Sequence, residues 1–227
     1  MNGEARIDAF GDAALLVTFG NRVDRGLNRR ARALAAAIDR ARAADPRFGR
    51  PVTAFASVLV PFDPIALDDD AARDIVGALL RGVDAGRDAS DSPDGAGRSS
   101  IEVPVRYGGA EGPDLDELAS LHGLTPADVV ELHAATTYEV FFLGFAPGFA
   151  YLGTVPPEIA TPRLARPRER VPAGSIGIAG EQTGIYPFAM PGGWRLIGRT
   201  DRVVWDTERE RPALLMPGDR VRFVPVR

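Results

Sequence analysis

Cysteine is absent from the 227 residues, and so is lysine: all 27 basic side chains are arginine. Without cysteine there is no disulfide, no thiolate nucleophile and no zinc–sulfur site. Without lysine there is no P-loop phosphate lysine, no Schiff base and no pyridoxal phosphate site on this chain. No apolar run approaches the roughly 20 residues that span a bilayer. The opening stretch MNGEARIDAF lacks a basic-then-apolar leader pattern. A cytoplasmic location is the default expectation. Net charge is -4, which gives no drive toward nucleic acid or an anionic membrane. No Asp/Glu/His group has metal-ligand spacing, so no metal site is expected.

What is present reads as an ordinary folded chain, at 45% hydrophobic and 26% charged residues. Its length allows one large or two small domains. Short strands are expected at 5–7 and 15–19. A helix capped by Asn21 follows, running to about residue 44 with Leu27, Leu34 and Ile38 on one face. A strand pair at 52–55 and 57–62 leads to a second helix from about Asp69. The order ββαββα over 1–83 predicts a small α+β unit with its helices on one face of a sheet. Residues 84–100 (DAGRDASDSPDGAGRSS) carry almost no large apolar side chain and read as a flexible linker between domains.

The second domain, 101–227, opens with Ile101, Val103 and Val105 in alternation. Two short helices follow: one capped by Asp114 and ended by Gly123, one opened by the capping box Thr125-Pro126-Ala127-Asp128. Strands are expected at 138–142, 175–178, 182–186, 195–198, 202–205 and 220–226. Many short strands with few helices indicate a closed or nearly closed barrel.

Residues 141–200 concentrate Gly, Pro, aromatics and Arg, a composition suited to loops that approach a ligand closely. Ala173-Gly174-Ser175-Ile176-Gly177 resembles a serine-hydrolase elbow, but its first glycine is alanine and strand is expected on both sides. In GFAPGFAYLG, the aromatics Phe145, Phe149 and Tyr151 either wall a pocket or fill the barrel. Arg166, Arg168 and Arg170 alternate, so extended backbone puts all three on one side. Arg163, Arg195 and Arg199 can converge on the same region. Guanidinium forks suit carboxylates and phosphates. Gln182, Thr183 and Tyr186 share one strand and offer neutral hydrogen bonds to an amide or carboxylate. His133 is the candidate general base, with a structural role as its alternative.

Three stretches in order, HAATTYEVFFLGFAPGFAYLG, ATPRLARPRERVPAGSIGIAGEQTGIYP and PGGWRLIGRT, resemble the family of the 5-oxoprolinase B subunit. That family is also labelled allophanate hydrolase subunit 1, or sporulation-kinase inhibitor. The resemblance implies a ferredoxin-like N-terminal domain and a cyclophilin-like β-barrel. It implies a homologous barrel partner of the C type and a third partner of the A type. Together these would use ATP and Mg²⁺, held at the level of the complex, to cleave the lactam of 5-oxoproline to glutamate. A kinase-binding regulator and a component of a biotin-dependent urea carboxylase are the alternatives it carries. The site residues it implies are His133, Arg168 and Arg170 as catalytic groups. Phe145, Pro147, Gly148, Pro172, Gly174, Gln182, Thr183, Tyr186, Trp194 and Arg199 would bind substrate. Ala150 departs from the family's more common proline, and Met190 from a frequent serine.

Overall fold

Two compact units, Met1–Pro93 and Asp94–Arg227, divide the chain. The computed structural model describes residues 5–85 and 100–226. The linker expected at 84–100 therefore lies almost wholly outside the described residues.

In the first unit the strands are β1 (Arg6–Ala9), β2 (Ala14–Thr18), β3 (Val52–Thr53) and β4 (Ser57–Pro61), with helices α1 (Arg25–Ala41) and α2 (Asp69–Asp84). The sheet order is β1-β2-β4-β3, antiparallel throughout. Strand alternation sends Leu15, Val17, Val58 and Val60 into one core. Leu27, Ala31, Leu34 and Ile38 of α1 and Ala72, Val76 and Leu80 of α2 cover it at helical spacing. Asp24, not Asn21, caps α1, because its carboxylate is the one that reaches the Leu27 amide, at 3.0 Å. The strand expected at 52–55 stops at Thr53, since the Ala54 amide turns back to the Ser57 carbonyl.

The second unit holds β5 (Ile101–Tyr107), α3 (Leu115–His122), α4 (Pro126–Ala135), β6 (Thr137–Leu143), β7 (Ala150–Gly153) and β8 (Arg168–Val171). It continues with β9 (Ser175–Ala179), β10 (Gln182–Ile185), β11 (Met190–Gly192), β12 (Arg195–Arg199) and β13 (Arg220–Pro225). Seven strands close a barrel in the order β10-β7-β6-β13-β5-β12-β9, and β8 and β11 form a separate two-stranded ribbon. All barrel pairings are antiparallel except β13 with β5. The barrel is a filled core, not a channel. Val103, Val140, Leu152, Ile176, Ile178, Ile185, Ile197 and Phe223 are all buried inside it.

Three strands, β7, β8 and β11, are not expected from the sequence, because each is only three or four residues long and contains or is flanked by Gly or Pro, too short to show a period-two pattern. The strand expected at 202–205 is not formed; only Trp205 makes an isolated bridge, to Ala213. At α4 the Thr125–Asp128 capping box is present in full. At α3, Gly123 ends the helix in the left-handed region, but the Asp114 side chain makes no capping bond. Its carboxylate is used elsewhere.

Candidate functional site

Along β9 and β10 the inward positions are Ile176, Ile178, Thr183 and Ile185, so Gly177 and Gly184 face outward. These two glycines are direct register partners. They leave a patch of barrel wall with no side chains. A second apolar cluster, Phe149, Val171, Ala179, Tyr186, Trp194 and Leu196, is laid over it. A Cβ on Gly184 would come within 3.1 Å of the Trp194 ring and 3.2 Å of Phe149. Phe149 meets Trp194 and Tyr186 edge-on, each with ring centroids 5.3 Å apart. Aromatic packing of this kind makes a rigid floor.

Above that floor lies a concavity of about 270 Å³. Tyr151, Tyr186 and Trp194 form its base and Phe145 one wall. Pro167, Pro191 and Gly192 at the end of β11, and Gly193 after it also line the concavity, with the exposed Arg163 at its edge. Phe145 is exposed and sits at φ 67° between Gly144 and Ala146, an uncommon backbone for a bulky residue. Burial raises the Tyr186 and Tyr151 phenols above their ordinary range, so both are neutral donors at physiological pH. The Arg163 charge pulls each partly back down.

Of the residues singled out in the sequence, Phe145, Tyr151, Arg163, Tyr186 and Trp194 meet in this concavity. Arg168 does not line it. Its guanidinium donates to Asp114 Oδ1 at 2.6 Å and reaches the Trp194 carbonyl at 3.4 Å. Asp114 Oδ2 accepts from the Leu196 amide at 2.6 Å, and the Asp114 amide donates back to the Leu196 carbonyl. The pair thus clamps the strand next to Trp194. Arg166 and Arg170 are exposed and outside the concavity. Arg199 bonds the Ala173 carbonyl and pairs with Glu111, away from the site. Pro147 and Gly148 belong to the loop between β6 and β7, where Gly148 packs against Trp205. Pro172 and Gly174 form the turn between β8 and β9. Gln182, half-buried at the start of β10, is also outside the lining.

His133 and Thr183 point into the barrel interior. His133 is fully buried and stacks on Phe223 with centroids 4.6 Å apart. Thr183 donates to the Gly177 carbonyl, so its hydroxyl accepts from His133 Nε2–H at 3.0 Å. Nδ1 then accepts from the Tyr107 hydroxyl at 2.7 Å. Both ring nitrogens are satisfied, and no substrate can reach them. Geometry gives His133 a packing role.

Burial drives His133 down to about 3 from an unfolded value of 6.5. Between those two values the unfolded chain binds a proton that the barrel refuses. The neutral histidine therefore costs nothing above pH 6.5, and stability is lost as pH falls through the window below it. The slope is at most about 1.4 kcal/mol per pH unit. Both tryptophans, Trp194 and Trp205, lie in the barrel unit, so their fluorescence reports its unfolding. His133→Gln is expected to flatten the acid limb of that unfolding curve. An unchanged slope would show that another group carries it.

Fold and site together define a barrel protein with a small, aromatic, arginine-edged cavity on the outer face of its wall. The chain belongs to the family of the carboxyltransferase domain, subdomain C and D, which it matches over residues 5–215, in the group of the 5-oxoprolinase B subunits. It is 39% identical to the B subunit of 5-oxoprolinase from Bacillus subtilis over 97% of this chain and 92% of that protein. With the protein of the same name from Escherichia coli O157:H7 it shares 59% identity over 55% of this chain, spanning 57% of that relative's length. Among solved structures it resembles TTHA0988, with a TM-score of 0.80 and 39% identity over 94% of this chain and 40% of that one. It also shares its fold with Kluyveromyces lactis urea carboxylase, with a TM-score of 0.76 at 20% identity over 98% of this chain and 22% of that one.

Residues that sequence reasoning leaves off the site are Pro167, Pro191, Gly192 and Gly193. The signal for the last three is the PGGW motif itself, in which the tryptophan alone stands out as a ligand contact. Arg163 and Tyr151 are visible as candidates, but nothing in the one-dimensional pattern separates Arg163 from the arginines around it.

Proposed function

We propose that the chain is the B subunit of a multi-subunit, ATP-dependent 5-oxoprolinase that opens the lactam of 5-oxo-L-proline to L-glutamate. The observation that carries this reading is the near full-length match to the Bacillus subtilis protein of that name. The concavity adds to it: about 270 Å³ of largely aromatic space suits one small ring, and the arginine at its edge suits an acid.

The partners in this reading are a homologous barrel subunit of the C type and a third subunit of the A type. ATP and Mg²⁺ belong to the complex. Among the described residues no three His, Asp or Glu side chains converge to hold a metal ion, and the chain has no lysine for phosphates. Two helices on one face of a four-stranded antiparallel sheet support a ferredoxin-like reading of the first unit. A closed barrel with its cavity on the outer wall supports a cyclophilin-like reading of the second.

Purified chain mixed with A- and C-type partners, ATP and Mg²⁺ is expected to release glutamate from 5-oxo-L-proline. Omitting the chain is expected to abolish that release. Equal turnover without it would sink the reading. The urea amidolyase relatives, matched over half of this chain at 28% and 31% identity, favour a carboxyltransferase as second reading. Bicarbonate dependence with a biotinylated partner would mark it.

A further inference from the structure

Two polar groups of the concavity are left without work by the rest of the chain. Tyr186 is fully buried, and its hydroxyl has no hydrogen-bond partner among the described residues. The Trp194 amide lies close enough to favour charge on that oxygen, yet outside hydrogen-bond geometry. No described atom accepts the phenol proton. A buried donor without an acceptor costs folding free energy and calls for an explanation. The site also makes room for it: Gly192, the last residue of β11, leaves the phenol the space that any side chain would take.

Arg163 is the second such group. It lines the same concavity and has no ion pair or hydrogen bond among the described residues. Its backbone is nevertheless pinned on both sides. The Pro162 carbonyl accepts from Arg195 Nε at 3.2 Å, and the Leu164 amide donates to the Gly193 carbonyl at 2.8 Å. Arg195 is itself paired with Glu117 at 3.0 Å. Held by these contacts, an uncommitted guanidinium stands at the edge of an apolar hollow. Arg168, by contrast, has its charge taken by Asp114.

We propose that this concavity selects a small cyclic lactam acid through two contacts: Arg163 takes the carboxylate, and the Tyr186 hydroxyl donates to the ring carbonyl. The inference rests on the 5-oxoprolinase reading and deepens it, since it moves the anion contact from Arg168 and Arg170 to Arg163. The flat ring lies on the aromatic floor, where its faces lose water. The carboxylate stays at the edge, where partial hydration keeps its transfer cheap. The carbonyl goes inward, to the phenol that lacks an acceptor. A neutral lactam satisfies only the phenol, and a carbocyclic acid only the guanidinium.

The test is titration of the full chain, followed by tryptophan fluorescence and calorimetry, with 5-oxo-L-proline, 2-pyrrolidinone and cyclopentanecarboxylate. Wild type is expected to prefer 5-oxo-L-proline over 2-pyrrolidinone by about tenfold or more, the scale of a charge-assisted hydrogen bond. Arg163→Met is expected to erase that preference. Tyr186→Phe is expected to erase the preference over cyclopentanecarboxylate without lowering stability, because it deletes an unpaired hydroxyl. In the reconstituted complex, Arg163→Met is expected to raise KM for 5-oxo-L-proline about tenfold. If turnover needs the chain but Arg163→Met leaves KM and discrimination unchanged, the assignment is overturned and the 5-oxoprolinase reading stands. If turnover does not need the chain, that reading fails, and the titration alone judges the cavity. Failure of all three probes to bind the wild-type chain overturns the assignment.

Discussion

Asp114→Ala is expected to destabilise the barrel unit by about 2–4 kcal/mol and to loosen the floor of the concavity. The carboxylate is 7% exposed, and it answers two donors at once: the Arg168 guanidinium and the Leu196 amide, both at 2.6 Å. Its removal leaves a buried amide without an acceptor and a guanidinium without a counter-charge. Because Arg168 is 29% exposed, water can take over part of its solvation, which keeps the loss below that of a fully buried ion pair. Trp194 sits between the two anchors, so its emission should shift toward that of an exposed indole in the native state. The double variant Asp114→Ala/Arg168→Met is expected to cost clearly less than the sum of the single changes. Simple additivity in urea unfolding would show that the two side chains are not coupled.

Gly174→Ala should be at least as damaging, at more than about 3 kcal/mol. Gly174 has φ +77°, and a Cβ there would overlap the backbone carbonyl oxygen of Thr200. That oxygen cannot swing aside as a side chain would. Gly174 also donates to the Tyr186 carbonyl at 2.7 Å and accepts from the Thr200 amide at 2.9 Å, so it ties three segments at one corner of the barrel. Gly180 is the matched control. It has φ +58°, with nothing within 4 Å of the place a Cβ would occupy. Gly180→Ala should cost only the left-handed strain, about 1 kcal/mol. Equal effects at the two sites would mean that conformational strain, and not the overlap with Thr200, decides.

The two positions differ in how far the sequence reveals them. Asp114 reads as a helix cap from its place before Leu115, because one dimension shows only local partners for a carboxylate. Its real partners, Arg168 and Leu196, lie 54 and 82 residues away. Gly174 stands out through its motif, but the reason for glycine, the Thr200 carbonyl just past β12, requires the closed barrel. His133 is similarly ambiguous. A helix-end histidine near a Gly-rich region is compatible with a base, and only its enclosure by Tyr107, Thr183 and Phe223 makes it a packing residue.

What the sequence determined by itself is whatever depends on local periodicity and on residue inventory. The helices, the inward alternation of Val103 and Val105, the capping box at Thr125, and the exclusion of thiol and lysine chemistry all follow from neighbours within about one or two turns of chain. Tertiary structure alone decided which of several similar arginines faces the cavity. Arg163, Arg166, Arg168 and Arg170 share one short segment and one side-chain chemistry. Their roles part only because Asp114 captures one, the Pro162 and Leu164 contacts hold another at the edge of the concavity, and the remaining two face solvent. Long-range partners set the environment of a charge, and no local pattern encodes them.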